Sequence, residues 1–440
     1  MKPIVLAIFV LSVVFFCAVA FSSRNPAKNI EKNDEITIFM TGNELGALKP
    51  CGCSGGQLGG LDRRAGILNT GKDSSQMIID TGSLVKTDSE QDHIKFDIIM
   101  QAFEMLGYDM VHLTAGDIEI ARDAGLLDGL QWQFQIIASE TLGDSNMPTS
   151  FTKKLLLNNK PVTVTVAASE KFSSSTGSLF PPRTDIPTVN ILILNQCDHE
   201  TIKSSTNIPE QIDCIICPSE YDEPEIISKP NKKPLIISVG QLGKHISKLS
   251  ITQDGCDDAL KLALSTIDVT EDIPQQQELV DLYRTYQLIV KDANLLEKMP
   301  RFSLPEALNY VGSESCKVCH TYEYQKWSAN PHASAFATLE QVGNQYDPEC
   351  VICHVIGNEY ETGYVSQAKN SHLKNVGCEN CHGPGSEHIA SLGTKKTVEP
   401  KSTCEECHTS EHSANYAGNE NIYFEKIIHW REPNSADNVK

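Results

Sequence analysis

Between residues 36 and 239 the chain alternates short apolar runs with polar turns and stretches of helical period. Residues 36–41, 77–80, 110–113, 134–138, 189–195, 212–217 and 235–239 are apolar runs of strand length. Residues 92–106 carry a helical pattern. Residues 155–157 and 162–166, joined by Asn158-Asn159-Lys160, predict a hairpin. The alternation predicts an α/β domain over residues 35–265. Leu279, Leu282, Tyr286, Ile289, Ala293 and Leu296 then recur at helical spacing, so residues 275–300 read as a connecting helix that Pro300 and Pro305 stop. From residue 310 to 440 the pattern breaks down. Aliphatic runs give way to Cys, His, Gly and Asn, which predicts a second, mainly α and loop-rich domain.

The N-terminus changes the picture of where the chain works. Lys2 followed by an apolar run to Cys17 and by Ala18-Val19-Ala20 has the form of an export signal over residues 1–20, with the mature chain starting near Phe21. An uncleaved anchor is the alternative, and it would tether the protein to a membrane. A lipidated Cys17 fits less well, because Phe16 before it is bulky. Residues 21–34 are polar and read as a flexible segment. The formal charge of -20 argues against nucleic acid and anionic membrane surfaces as partners. A redox protein with a basic docking patch is its natural complement.

The last third contains Cys-x-x-Cys-His four times: Cys316, Cys319 and His320; Cys350, Cys353 and His354; Cys378, Cys381 and His382; Cys404, Cys407 and His408. At this chain's composition, chance would supply about 0.02 such motifs. Two thiols add across the vinyl groups of one porphyrin, and the adjacent imidazole reaches its iron from one face. The expected cofactor is therefore haem c, four copies, covalently attached. A zinc ribbon would not require His after every second Cys. About 30 residues per haem cannot enclose a side-chain core, so the porphyrins themselves must supply it. All eight Met lie at or before Met299, so no Met of the domain can be an axial ligand. His332, His372, His388, His412 and His429 are the histidines not committed by a motif, and mostly bis-His ligation at low potential is expected.

Residues 316–339, 377–388 and 404–429 together resemble the cytochrome c-554 family of multihaem electron-transfer proteins. The resemblance implies distal-ligand roles for His332, His388 and His429, and leaves His372 and His412 as candidates. In some members of that family one haem keeps an open position where small nitrogen compounds bind.

Residues 36–67, with Pro50-Cys51-Gly52-Cys53 and Gly59-Gly60-Leu61-Asp62-Arg63-Arg64, resemble the first segment of the 5′-nucleotidase-like metallophosphatases. The resemblance implies a four-layer α/β sandwich with a two-metal site at the strand ends. The ligand positions of that family fall on Asn43-Glu44-Leu45, Gly82-Ser83, Ala115-Gly116-Asp117, Asn195-Gln196 and Pro218-Ser219. A set this poor in carboxylate and imidazole implies a degenerate phosphatase without phosphoesterase activity.

Cys51, Cys53, Cys214 and Cys217 are candidates for a thiolate metal cluster or redox-active disulfides, with ordinary structural disulfides as the plainer alternative; Cys197 and Cys256 complete the set. The glycines at 55, 56, 59 and 60 with Arg63 and Arg64 suggest either an anion cradle or a tight turn. Three functions stay open: an electron carrier without a catalytic residue, a haem enzyme acting on a small nitrogen or oxygen species, and an N-terminal ligand-binding or hydrolase module.

Overall fold

The computed structural model describes residues 34–429 apart from residues 51–54, 70–73, 127–130, 140–146, 205–207, 230–231, 254–258, 307, 399–403 and 414. The export segment, Cys51, Cys53 and Cys256 therefore lie outside the described residues.

Two six-stranded sheets stack face to face. The first has the order β12(Leu260–Asp268), β11(His245–Gln253), β1(Glu35–Thr41), β2(Gln76–Asp80), β3(Met110–Leu113), β4(Gln135–Ala138). The second runs β5(Ser150–Leu157), β6(Lys160–Lys171), β7(Thr188–Gln196), β8(Cys214–Ile216), β10(Leu235–Ser238), β9(Glu225–Ile226). The central pairs β1–β2, β2–β3 and β3–β4 are parallel, as are β6–β7, β7–β8 and β8–β10.

Period-two alternation assigns each strand's two faces. Ile36, Ile38 and Met40 of β1 point between the sheets and meet Val162, Val164, Val166, Ile191, Ile193 and Cys214. Phe39 points the other way, under α1(Leu61–Leu68), α2(Glu90–Leu106) and α5(Gln277–Ala293). Leu192, Leu194 and Ile215 face outward from the second sheet beneath Phe180 and Ile202 of α4(His199–Ser204). The result is four layers, helix–sheet–sheet–helix. The short α3(Ala115–Asp123) opens with a capping box in which Thr114 and Asp117 satisfy each other.

Two expectations need correcting. β11 pairs with β1 and β12 pairs with β11, yet neither carries a long apolar run, because Ser, Lys and Thr occupy their other face. The stretch 275–300 is more than a connector. Leu279, Leu282, Tyr286 and Val290 bury into the first core against α2. It breaks at Asn294, which takes the left-handed conformation at φ 53° before α6(Leu295–Lys298).

Beyond it lies a loop-rich region with short helices: α7(Ser313–Cys316), α8(Thr321–Ser328), α9(Ala335–Val342), α10(Pro348–Val351), α11(Gln367–Asn370), α12(Cys378–His382), α13(Ser386–Ala390) and α14(Glu420–Glu425). Among the described residues its buried apolar cluster consists of Leu296, Phe336, Leu339, Val351, Val355, Ile356, Tyr364 and Leu373. That is a small core for so long a stretch of chain. No described helix is long and apolar enough to cross a membrane.

Candidate functional site

Each Cys-x-x-Cys-His motif sits on about one turn of helix. The His320 amide donates to Cys316 O at 3.0 Å and the His408 amide to Cys404 O at 2.7 Å. In the second motif the His354 amide reaches Val351 O at 2.8 Å, and the third motif is α12 itself. A turn of this kind sets both thiols and the imidazole along one side.

Three of the histidines outside the motifs stand opposite motif histidines. The ring centroids are 5.8 Å apart for His320 and His388, 6.2 Å for His332 and His408, and 6.3 Å for His382 and His429. Two metal–nitrogen bonds of about 2 Å, plus the distance from each nitrogen to its ring centre, give roughly 6 Å. The spacing therefore fits one iron between each pair, and the residues present suit haem c.

Several of these rings have Nδ1 engaged by the chain. His388 Nδ1 lies 2.7 Å from Lys395 O, and His429 Nδ1 lies 2.7 Å from Ile427 O. His354 Nδ1 is 2.6 Å from Ala335 O, and His408 Nδ1 is 3.0 Å from Ser413 Oγ. A backbone carbonyl or hydroxyl on Nδ1 fixes ring orientation and tautomer. Burial and the neighbouring His408 and His354 depress the His332 pKa. Burial and His429 do the same to His382. Both shifts favour the neutral imidazole, the form able to bind a metal.

His372 and His412 are placed differently. His372 packs on Gly312, where a β-carbon would meet its carbonyl oxygen at 2.7 Å. His412 Nδ1 bonds Thr409 Oγ1 at 2.8 Å, and its side of the loop lines a cleft that Cys350 also lines.

The motifs also interlock. The Cys316 thiol contacts that of Cys378, and Cys353 contacts Cys407. Buried Glu379, inside the third motif, accepts from the Val311 amide at 3.0 Å, Gly312 at 2.7 Å and Gly385 at 2.7 Å. It thereby ties the third motif to the loop entering the first. Burial raises the Glu379 pKa. The sequence marked Glu379 only as a filler of its motif.

The N-terminal sandwich grips the second motif. Asp347 caps α10, the helix carrying Cys350, and accepts from the Glu349 amide at 3.0 Å. Its carboxylate also takes bonds from Gln91 Nε2 at 2.8 Å and from the Tyr286 hydroxyl at 2.8 Å. Lys95, 5% exposed, reaches Glu349 at 2.6 Å.

At the carboxyl edge of the sheets the residues at the metallophosphatase ligand positions bond to protein groups. Asn43 Nδ2 donates to Ser219 Oγ at 3.3 Å and to Gly240 O at 3.2 Å. Asn195 Nδ2 donates to Glu170 at 2.9 Å. Asp117 accepts from the amides of Ser83, Leu84 and Thr114, and from the Thr114 hydroxyl.

Glu44 is buried and paired bidentately with Arg64, which is also fully buried. Gly243 makes room for this guanidinium, since a β-carbon there would fall 1.5 Å from Arg64 Nη2. Burial, and next the Glu44 charge, push the Asp80 carboxyl up to about 8, where it is mostly protonated at neutral pH. Of the two readings of the glycines at 55, 56, 59 and 60, the tight turn fits better than an anion cradle, because both arginines are already engaged. Arg63 Nη1 donates to the carbonyls of Gln57 and Gly59, and Arg64 serves Glu44.

The thiolate cluster is corrected too. Cys217 is disulfide-bonded to Cys197, and Cys214 points into the core between the sheets, on the other face of its strand. Strand alternation alone separates these two cysteines.

Comparison with known proteins bears on both regions. Residues 315–383 match the family "Cytochrome c554 and c-prime". The cytochrome c-554 of Nitrosomonas europaea is 33% identical over 98 residues, which cover 19% of this chain and 42% of that protein. The c554-like segment thus spans less than half of the curated relative. Solved structures similar to the sandwich include the calcineurin-like phosphoesterase YfkN of Bacillus subtilis, at 12% identity and TM-score 0.40 over 58% of this chain and 97% of that one. The sulfate thiohydrolase SoxB of Thermus thermophilus is similar at 11% identity and TM-score 0.44, over 65% of this chain and 68% of that one. A 5′-nucleotidase precursor, also from Thermus thermophilus, gives 11% and 0.41, over 64% and 63%.

Proposed function

We propose that residues 310–429 form an extracytoplasmic tetrahaem electron-transfer module, and that the sandwich is a catalytically degenerate platform holding it. The observation that carries this is the set of three facing histidine pairs at ring separations of 5.8 to 6.3 Å. His320 with His388, His408 with His332 and His382 with His429 would hold three irons in bis-His ligation. His354 would be the proximal ligand of the fourth. Haem c, when bound, supplies a one-electron iron couple whose potential the axial ligands set. The chain's part is to place the motifs in contact. The first touches the third through Cys316 and Cys378, and the second touches the fourth through Cys353 and Cys407. Cys381 of the third feels Cys404 of the fourth. The resulting order of neighbours is first, third, fourth, second, with the second at the sandwich.

Electron paramagnetic resonance of the oxidised protein is expected to show low-spin ferric iron for three haems at least. His388→Ala should convert one of them to high spin, and His388→Met should raise one potential by on the order of 100 mV. High-spin signals from most of the irons in the unmodified protein would defeat the pairing. Carbon monoxide added to the reduced protein tests the haem-enzyme reading, which requires a ligand-accessible iron.

For the sandwich, hydrolysis of nucleotide and phosphomonoester substrates is expected to stay at background with added Mn(II) or Mg(II). The donor positions offer two carboxylates, and both are engaged by the protein, Glu44 by Arg64 and Asp117 by backbone amides, whereas two cations need several carboxylates and imidazoles. Metal-dependent turnover that survives purification of the intact chain would overturn this part.

A further inference from the structure

Strands β7 and β8 run parallel, with Ile193 beside Ile216, and end at one edge of the second sheet. Cys197 follows β7, Cys217 follows β8, and His199 opens α4. Among the described residues these three form the one group of Cys, His, Asp or Glu donors whose ligand atoms all lie within 4.8 Å of one another. The two cysteines are joined as a disulfide. A plain structural crosslink would need no imidazole, yet His199 stands against it. The His199 Nδ1 is 3.7 Å from the carboxylate of Glu220, and its side chain is only 17% exposed. Two sulfurs and an imidazole backed by a carboxylate are the donor set of zinc and other soft or borderline cations.

We propose that Cys197, His199 and Cys217 form a thiol-gated site for one cation of the zinc or copper(I) class, closed as the disulfide and open as the dithiol. Donors bound at roughly 2.0–2.3 Å around a tetrahedral ion lie about 3.3–3.8 Å apart. Opening the S–S bond therefore needs only a small parting of the two strand ends.

The chemistry of opening is ordinary thiol–disulfide exchange with an external dithiol as reductant. Cys217 is 2% exposed while Cys197 is partly open, so the incoming thiolate attacks Cys197 Sγ. The S–S bond breaks and Cys217 leaves as the thiolate, with His199 beside it to share a proton. The reductant's second thiolate then displaces Cys197 and closes the reductant's own disulfide. Two electrons and two protons have passed to this chain. A cation binding both sulfurs as thiolates releases those two protons again.

The test uses the full haem-loaded chain, whose motif cysteines are thioethers and do not compete. Protein reduced anaerobically with a phosphine and freed of reductant is incubated with Zn(II), gel-filtered and analysed for zinc, beside an oxidised control. About one more equivalent of zinc is expected in the reduced sample, with zinc-edge X-ray absorption showing sulfur near 2.3 Å. His199→Ala leaves the disulfide intact, so its fold is secure, and it should weaken zinc retention at least tenfold. Cys197→Ser should abolish it. Equal zinc in reduced and oxidised protein would overturn the proposal. So would retention unchanged in His199→Ala and Cys197→Ser, which would assign the metal to other thiols.

Discussion

Expressed where haem cannot be attached, the chain is expected to keep its two sheets while residues 310–429 lose fixed structure. The cause lies in the distribution of apolar burial. Between the sheets and beneath their helices, dozens of side chains are buried, each contributing about 1.5–3 kcal/mol. Among the described residues the Cys-x-x-Cys-His region buries a small apolar cluster, much of it supplied around Val351, Val355 and Ile356. That cannot offset a backbone entropy cost of about 1–2 kcal/mol per residue. Four porphyrins in contact would supply the missing apolar surface. Limited proteolysis with mass spectrometry reads the outcome, with cleavage confined to the region after residue 300. Cysteine-to-serine changes in the third motif should come closest to this result, because Glu379 ties it to the first motif and Cys381 lies near the fourth. Uniform protection of the haem-free chain would refute the expectation.

The second large effect is expected at Arg64. Arg64→Met leaves Glu44 buried and unpaired, at a cost of about 3–5 kcal/mol in urea unfolding. Exchanging both partners for apolar residues of similar size should recover much of that loss, because neither charge then has to be desolvated. The nearby Asp80 would sharpen the contrast. It already sits mostly protonated beside Glu44, and an unbalanced Glu44 favours its neutral form further. A single variant within 1 kcal/mol of the parent would show that the pair contributes little.

The sequence marked the sheet strands where both faces are buried. β1, β7 and β10 are near-continuous apolar runs, so they stand out. β11 and β12 escape notice because Ser, Thr, Lys or Gln fill five of nine positions in β11 and three of nine in β12. Their pairing is a tertiary matter, set by the edge that β1 offers. The haem motifs were readable because thioether chemistry fixes their local spacing. Which uncommitted histidine faces which motif was not, since that depends on how loops cross. His332 directly follows the first motif but faces His408 of the last. His388 follows the third and faces His320 of the first. Arg64 lies in α1, just after a glycine-rich turn, and has the local signature of an anion binder. Only the burial of Glu44, which falls in a ligand position of the resembled metallophosphatases, reveals its actual partner. Cys214 and Cys217 are three residues apart and look like a pair, until strand alternation sends them to opposite faces.

The Asp347 cap joins two parts of the chain that lie far apart in sequence. Gln91 and Tyr286 belong to the sandwich, and their donors are in place as soon as it has formed. The helix they receive carries Cys350, which stays partly exposed with α10 seated. A porphyrin joined at the second motif would therefore meet a thiol already positioned by the sandwich, and its attachment would not require α10 to undock.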